Sequence, residues 1–176
     1  MQHELEKLRY PIGRFAIPDV IDKSLLNDWI KTIADFPARL KSEVGDLTDD
    51  VLEKRYRPEG WTIRQVVHHC ADSHMNSFVR FKLALTEEDP TIKLYEEKLW
   101  AELPDAKNIP IESSIKLLEG LHERWVILLK SLTGEQLERG FIHPATKRLI
   151  SLKINIGLYA WHCNHHLMHI VNAKNH

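Results

Sequence analysis

The chain has 176 residues, a formal net charge of −1 and 28% charged residues mixed along its length. This length fits one domain, residues 1–176, and the balanced charge excludes the long basic face that nucleic-acid binding requires. We expect neither a signal peptide nor a membrane span, because the first residues are charged and no run of about eighteen apolar residues follows. Two cysteines, Cys70 and Cys163, do not make a disulfide framework and predict a cytoplasmic protein with reduced thiols.

The first third of the sequence predicts an arm, a long helix and a connector. Residues 1–19 contain prolines and a glycine and are typical of an irregular arm. Residues 22–45 repeat apolar side chains at helical spacing and predict a long amphipathic helix. Residues 47–60 form a charged connector, whose basic cluster at 54–57 is either solvated or placed to contact an anionic substrate.

A second long helix is predicted over residues 62–87, with its first threonine as the N-cap. His68 and Asp72 lie one turn apart on it, about 40° around the helix axis, so they are a candidate metal ligand and its candidate hydrogen-bond partner. An exposed charge or an ion pair explains Asp72 equally well. His69 and His74 point about +100° and −120° away from His68 and are predicted not to be ligands.

The rest of the chain completes a helical bundle. Apolar spacing predicts a third long helix over residues 111–134, whose His122 receives no role. A short hairpin pairs 141–142 with 149–150, and a fourth long helix covers residues 151–173 with a serine cap. Four amphipathic helices of about twenty residues favour an all-α four-helix bundle, in which metal sites form from inward side chains of different helices.

The fourth helix carries an unusual concentration of histidine. His162, His165, His166 and His169 all fall within about 60° of His162 on a helical wheel, so they share one side. Buried imidazoles are costly unless their nitrogens find partners, and two histidines four residues apart can bind one metal ion. A surface helix with solvated histidines and a pH-responsive interface remain alternatives. In a bundle, His68 is expected to meet His162 and His166.

The runs GWTIRQVVHHCADSH and WHCNHHLMHI resemble the DinB-like four-helix metalloproteins, and particularly their YfiT-type branch of metal-dependent hydrolases and bacillithiol transferases. The resemblance covers nearly the whole chain. It implies that His68, His162 and His166 bind one zinc or nickel ion and that the protein is a homodimer. His165 and His169 are then expected beside the site, either as outer hydrogen-bonding groups behind the ligands or as groups on the side of the substrate.

The predicted ligand set suggests the chemistry. Three neutral imidazoles leave at least one coordination position open, which is typical of catalytic metal sites. The glutamate of the HExxH motif has no counterpart here, and this favours a thiol over water as the nucleophile. We therefore expect an enzyme that transfers a low-molecular-weight thiol such as bacillithiol onto an electrophile. A hydrolase that uses metal-bound hydroxide and a non-catalytic metal-binding stress protein are the alternatives.

Overall fold

The computed structural model of the protein describes residues 2–175, so the predicted domain limits at 1 and 176 lie outside the described residues. No helix in the described range has the length and apolar character needed to cross a membrane. The elements, in chain order, are α1 (Gln2–Arg9), α2 (Lys23–Val44), α3 (Asp49–Leu52), α4 (Ile63–Thr86), α5 (Glu97–Trp100), α6 (Pro104–Lys107), α7 (Glu112–Ser131), α8 (Gly134–Glu138), β1 (Gly140–His143), β2 (Arg148–Ser151) and α9 (Leu152–Lys174).

The four long helices α2, α4, α7 and α9 form a bundle, which confirms the predicted fold class. Helix α2 packs mainly on α7 and α9, and α4 packs on the same two helices. Helices α2 and α4 therefore stand at opposite corners, although they are consecutive long helices. Their apolar stripes meet in one core, in which Phe36, Phe81 and Trp125 are fully buried. This arrangement brings the middle of α4 against the histidine-rich face of α9.

The predicted long helices and the hairpin are confirmed. Strands β1 and β2 pair antiparallel, with Phe141 opposite Ile150 and Ile142 opposite Leu149, as the sequence predicts. The predicted irregular arm is wrong in its first part, because α1 occupies it. Its sequence, QHELEKLR, lacks proline and glycine and has an acidic residue in the first turn and basic residues in the last, which suits the helix dipole. The helix-breaking residues come only after α1.

The N-terminus of α4 fixes the start of the helix that carries one side of the site. The Thr62 side chain accepts a hydrogen bond from the Gln65 backbone N–H at 3.1 Å, and the Gln65 side chain accepts one from the Thr62 N–H at 3.0 Å. This reciprocal pair is a capping box, which satisfies two N–H groups that a helix end leaves without partners.

We expect Thr62→Ala to lower the free energy of unfolding by about 1 kcal/mol, the usual cost of losing an N-cap side chain. Urea denaturation measures the change. Ser151→Ala is the matched control, because Ser151 is the N-cap of α9 but its buried hydroxyl makes no hydrogen bond. Equal losses in the two variants would show that the capping box contributes nothing particular.

Candidate metal centre

One face of α4 lies against the histidine-rich face of α9, and small side chains set the approach. Ser73 and Ser77 follow His69 at intervals of four residues, so the three share this face. Ser73 Oγ is 3.2 Å from the Tyr159 hydroxyl oxygen, and Asn155 Nδ2 donates to Ser77 Oγ at 3.0 Å. Because the serines leave room for α9, the ring of His69 reaches the histidines of that helix.

His69, His162 and His166 form the cluster with the geometry of a metal site. One ring nitrogen from each residue can be chosen so that all three lie within 4.8 Å of one another. The ring centroids are 4.4 Å apart for His162 and His166, and 4.8 Å apart for His69 and His166. His69 and His166 are buried and His162 is partly buried. Imidazole nitrogens bind zinc at about 2.0–2.1 Å, so small ring adjustments would bring the three onto one ion.

The electrostatics keep these three imidazoles neutral. Burial lowers the pKa of His69 to about 4, and a neighbouring charge on His165 would lower it further. Burial first, and then the other histidines, hold the pKa of His162 and of His166 well below the usual range. Metal ions bind the neutral imidazole, whose nitrogen lone pair is free. The donor set therefore fits a divalent transition ion at neutral pH.

The structure places His68 elsewhere, and this corrects the expected meeting of His68 with His162 and His166. The Nδ1 atom of His68 is 2.7 Å from Ser114 Oγ, and its Nε2 atom is 3.4 Å from the carbonyl oxygen of Ile109. Both partners belong to the start of α7 and the segment before it. A step of one residue turns a helical side chain by about 100°, so His68 faces α7 while His69 faces α9.

Asp72 also lacks the predicted contact. Among residues 2–175, the hydrogen-bond partners of the His68 ring are Ser114 and Ile109, and the Asp72 carboxylate is not one of them. Burial raises the pKa of Asp72 to about 6, and the charge of Asp105 adds to the shift. Asp72 is therefore a partly desolvated carboxyl that is not hydrogen-bonded to any histidine of the cluster.

His165 and His169 lie beside the cluster. Together with His166 they form a second group whose donor atoms fall within 4.8 Å of one another. The His165 ring stacks on Trp161 with centroids 4.4 Å apart, and its buried Nδ1 has no hydrogen-bond partner. The His169 ring stacks on Tyr56 at 3.8 Å. Metal binding itself stays a prediction for every histidine in both groups.

Sequence reasoning missed the contacts of His74 and His122. The Nε2 atom of His74 is 3.0 Å from His162 Nδ1, and the Nδ1 atom of His74 is 2.7 Å from His122 Nε2. A signal was available for His122, because it continues the buried stripe of α7 between Leu118 and Trp125. A polar residue in the middle of an apolar stripe must find a partner inside the protein. His122 finds one in His74.

The two cysteines are not part of the site. Cys70 and Cys163 are fully buried in the core cluster and form no disulfide, as the sequence predicts. Burial raises the pKa of each thiol above its usual range. Neither cysteine is a candidate nucleophile, because the thiolate is the reactive form.

A cavity of about 650 Å³ opens over both histidine groups. Tyr10, Trp61 and Trp161 are among its aromatic walls. Charged side chains complete the lining, and the basic ones outnumber the acidic ones: Arg9, Arg55, Arg57 and Lys98 against Glu59, Glu97 and Glu102. The cavity therefore offers both aromatic and charged contacts to a small molecule.

Comparison with known proteins confirms the resemblance noted in the sequence. The sequence pattern of the DinB superfamily matches residues 32–170. The chain is 51% identical to the "Putative metal-dependent hydrolase YfiT" of Bacillus subtilis (strain 168), over 95% of this chain and 94% of the relative. It is 52% identical to the "Putative metal-dependent hydrolase OB0782" of Oceanobacillus iheyensis, over 93% and 94% of the two chains.

A solved structure shows the same fold. YfiT from Bacillus subtilis, described as "a probable metal-dependent hydrolase with an unusual four-helix bundle topology", superposes with a TM-score of 0.93 at 49% identity. The match covers 96% of this chain and 97% of that one. The diagonal placement of α2 and α4 is thus part of a known bundle architecture.

Proposed function

Because the chain belongs to the DinB superfamily, we propose that it is a metal-dependent enzyme in which His69, His162 and His166 hold one divalent transition ion. The observation that carries this proposal is the convergence of three neutral imidazoles, with donor atoms within 4.8 Å of one another, on a cavity of about 650 Å³. Imidazole ligands suit zinc and nickel, and we propose one of these as the resident metal.

The proposed reaction is the transfer of a low-molecular-weight thiol onto an electrophile. His69, His162 and His166 would hold the ion and leave a coordination position open, at which a bound ion would lower the pKa of a thiol or a water molecule and supply a nucleophile near neutral pH. The thiolate sulfur forms a bond to the electrophilic carbon, and the leaving group departs with the electron pair of the broken bond. The thiol proton is released to solvent.

The composition of the candidate centre favours thiol over water. Both donor groups found among residues 2–175 consist of histidines alone, so neither group itself contains a carboxylate that could act as a general base for water. A thiol needs less help, because its own pKa is closer to neutral than that of water. Glu59, Glu97 and Glu102 also line the cavity but do not belong to either donor group.

The basic residues of the cavity support an anionic thiol, of which bacillithiol is an example. Arg9, Arg55 and Arg57 line the cavity together with the histidines. A carboxylate of an entering molecule would pair with these guanidinium groups, and hydrogen bonds between guanidinium and carboxylate are among the stronger ones in proteins.

Hydrolysis is the second candidate, and the names of the relatives favour it. A metal site with three imidazole ligands and one open coordination position suits water as the nucleophile as well as it suits a thiol. The two reactions differ in one requirement that can be tested, because the transferase needs an added thiol and the hydrolase does not.

We expect metal-loaded protein to accelerate the reaction of a chromogenic electrophile with added thiol, whereas metal-free protein gives the uncatalysed rate. A thiol series that pairs anionic with neutral members of similar size should show a preference for the anionic ones. The same protein is incubated with ester and amide panels without thiol. Cys70→Ala and Cys163→Ala are the matched controls, and each should retain the activity because both cysteines are buried in the core.

The outcomes separate the candidates. Turnover of esters or amides without thiol would establish the hydrolase and overturn the transferase. Tight metal binding without turnover of any panel would indicate a non-catalytic metal-binding protein.

We further propose a cytoplasmic homodimer. The dimer follows from the family resemblance, and two buried free cysteines suit a reducing compartment. Analytical ultracentrifugation of the purified protein distinguishes a dimer of about twice 20.6 kDa from a monomer.

A further inference from the structure

Two rows of imidazoles lead away from His162 and His166, and each row ends on a backbone carbonyl. From His162 the row runs through His74 to His122, whose Nδ1 is 2.7 Å from the carbonyl oxygen of Ile33. From His166 it runs through His169, whose Nε2 is 3.2 Å from the carbonyl oxygen of Arg9. A carbonyl oxygen can only accept a hydrogen bond, whereas a neutral imidazole has one donor and one acceptor nitrogen. The carbonyls therefore set the direction of both rows.

In the first row, the hydrogen bonds determine which ring nitrogen of each histidine carries the proton, from the carbonyl of Ile33 to the candidate centre. His122 must donate from Nδ1 to the carbonyl of Ile33, so its Nε2 is an acceptor. His74 must then donate from Nδ1 to His122 across 2.7 Å, which makes His74 Nε2 an acceptor. His162 must donate from Nδ1 to His74 across 3.0 Å. The Nε2 atom of His162 is therefore an acceptor with a lone pair, and its one protein neighbour at hydrogen-bond distance among the described residues is Ser73 Oγ, at 3.4 Å.

The second row reaches the same result for His166. His169 donates from Nε2 to the carbonyl of Arg9 at 3.2 Å, so its Nδ1 is an acceptor. The Nδ1 atom of His166, 3.4 Å away, is then the donor toward it. Nε2 of His166 again carries the lone pair. The rows start from two histidines of α9 and end on carbonyls of different helices, Ile33 in α2 and Arg9 in α1, yet both leave Nε2 of the starting histidine as the acceptor nitrogen.

We infer that these rows are positioning devices: His74 and His122 hold His162, and His169 holds His166, in the tautomer that has its proton on Nδ1 and offers Nε2 to the ion. The inference rests on the proposed metal centre for its purpose, but the tautomers are properties of the metal-free protein. The inference also explains the second histidine group without a second ion, because both ring nitrogens of His169 are already hydrogen-bonded, one to His166 and the other to the carbonyl of Arg9. Such outer hydrogen bonds fix the ring orientation of a histidine ligand and raise its basicity.

Burial is consistent with this assignment. His74, His122 and His169 are 0%, 2% and 2% exposed, and a charged imidazole is costly to bury without a partner of opposite charge. The alternation of donors and acceptors along both rows is the pattern that neutral rings make.

The test begins with the metal-free wild-type protein. Nitrogen-15 NMR of histidine-labelled protein distinguishes protonated from unprotonated ring nitrogens, and single replacements assign the signals. We expect His162 and His166 to carry the proton on Nδ1, with Nε2 unprotonated. A proton on Nε2 in either residue would overturn the inference for that row.

Paired variants link the tautomers to metal binding. His122→Phe and His169→Phe keep an aromatic ring but remove the hydrogen-bonding nitrogens, so the tautomer of the ligand should become mixed. The apparent affinity for zinc or nickel should fall about 10–100-fold, the usual effect of removing an outer partner. His122→Gln and His169→Gln can still accept or donate through the amide and should restore most of the affinity.

Leu118→Ala is the matched control for general destabilisation. It opens a cavity one turn from His122 in the same helix but removes no ring nitrogen from either row, and it should leave the affinity unchanged. Equal affinities for the Phe and Gln variants would contradict the inference. If the tautomers are as expected but the protein binds no metal, the positioning rows stand and the proposed metal centre falls, so the two failures are distinguishable.

Discussion

Replacing His162 or His166 with alanine is expected to strip the metal from the purified protein and to abolish its activity. Each change leaves two imidazoles, and two neutral ligands hold a divalent ion poorly against water. The loss should exceed the 10–100-fold that removal of an outer partner costs. The helical content should persist, because the core of the bundle is built from the apolar stripes of four helices. Metal analysis and far-ultraviolet circular dichroism of the same samples measure both effects.

The identity of the third ligand gives the more discriminating test, because the adjacent residues His68 and His69 are both candidates for it. His69→Ala should remove the ion as His162→Ala does. His68→Ala should retain it and should lower the free energy of unfolding by about 1–3 kcal/mol, because the Ser114 hydroxyl would lose its buried partner. The opposite pattern, with the ion lost in His68→Ala and kept in His69→Ala, would restore the ligand set predicted from the sequence.

His165 and His169 provide the remaining comparison, because they are an alternative pair at the same spacing. His165→Ala should retain the metal. His169→Ala should weaken binding only to the extent expected of a positioning residue. If these two variants strip the ion while His162→Ala and His166→Ala do not, the proposed site is displaced along α9 to the second histidine group.

The fold could be predicted from the sequence because apolar spacing and capping residues are local signals. Residues 22–45 and 62–87 contain both, and helices α2 and α4 begin and end within one or two residues of those limits. The hairpin register followed from two short β-branched and aromatic runs around a polar turn. The sequence did not predict α1, because the prolines and the glycine that suggested an irregular arm over residues 1–19 all lie after this helix.

The site was predicted less completely, because helix rotation is a tertiary property. The angle between His68 and His69 is fixed by the helix, but which of them meets α9 depends on how α4 is turned in the bundle. That rotation is set by the close approach at Ser73 and Ser77, which follow His69 and not His68 at four-residue intervals. The contact between His74 and His162 depends on the same rotation.

Acid is expected to destabilise the metal-free protein strongly within the pH range in which free histidine titrates. An unfolded histidine has a pKa of about 6.5, whereas burial lowers the pKa of His69 and His122 to about 4 and that of His169 to about 3. Between these values the unfolded chain binds protons that the folded chain does not. The free energy of unfolding therefore falls as the pH falls from about 6.5 toward the folded pKa values.

The expected loss of stability is large compared with the total stability of a domain. At pH 5 each of these histidines lowers the free energy of unfolding by about 2 kcal/mol, from roughly 1.4 kcal/mol per pH unit over about 1.5 units. Three of them sum to about 6 kcal/mol, against a total of about 5–15 kcal/mol for a typical domain. Asp72 acts in the opposite direction, because its pKa is raised and the folded state holds the extra proton, but it is one group against several.

Urea denaturation of metal-free protein from pH 8 to pH 4.5 tests this expectation. The free energy of unfolding should be nearly flat above pH 7 and should fall steeply below pH 6.5. His122→Gln removes one titrating group, so it should reduce the slope by about 1.4 kcal/mol per pH unit in that range. Leu118→Ala should lower stability at every pH and leave the slope unchanged. Saturating zinc or nickel should shift the fall to lower pH, because the ion binds only the folded, neutral histidines. A metal-free protein that keeps its full stability at pH 4.5 would show that the buried imidazoles accept protons without cost, and the neutral donor set inferred for the centre would then be wrong.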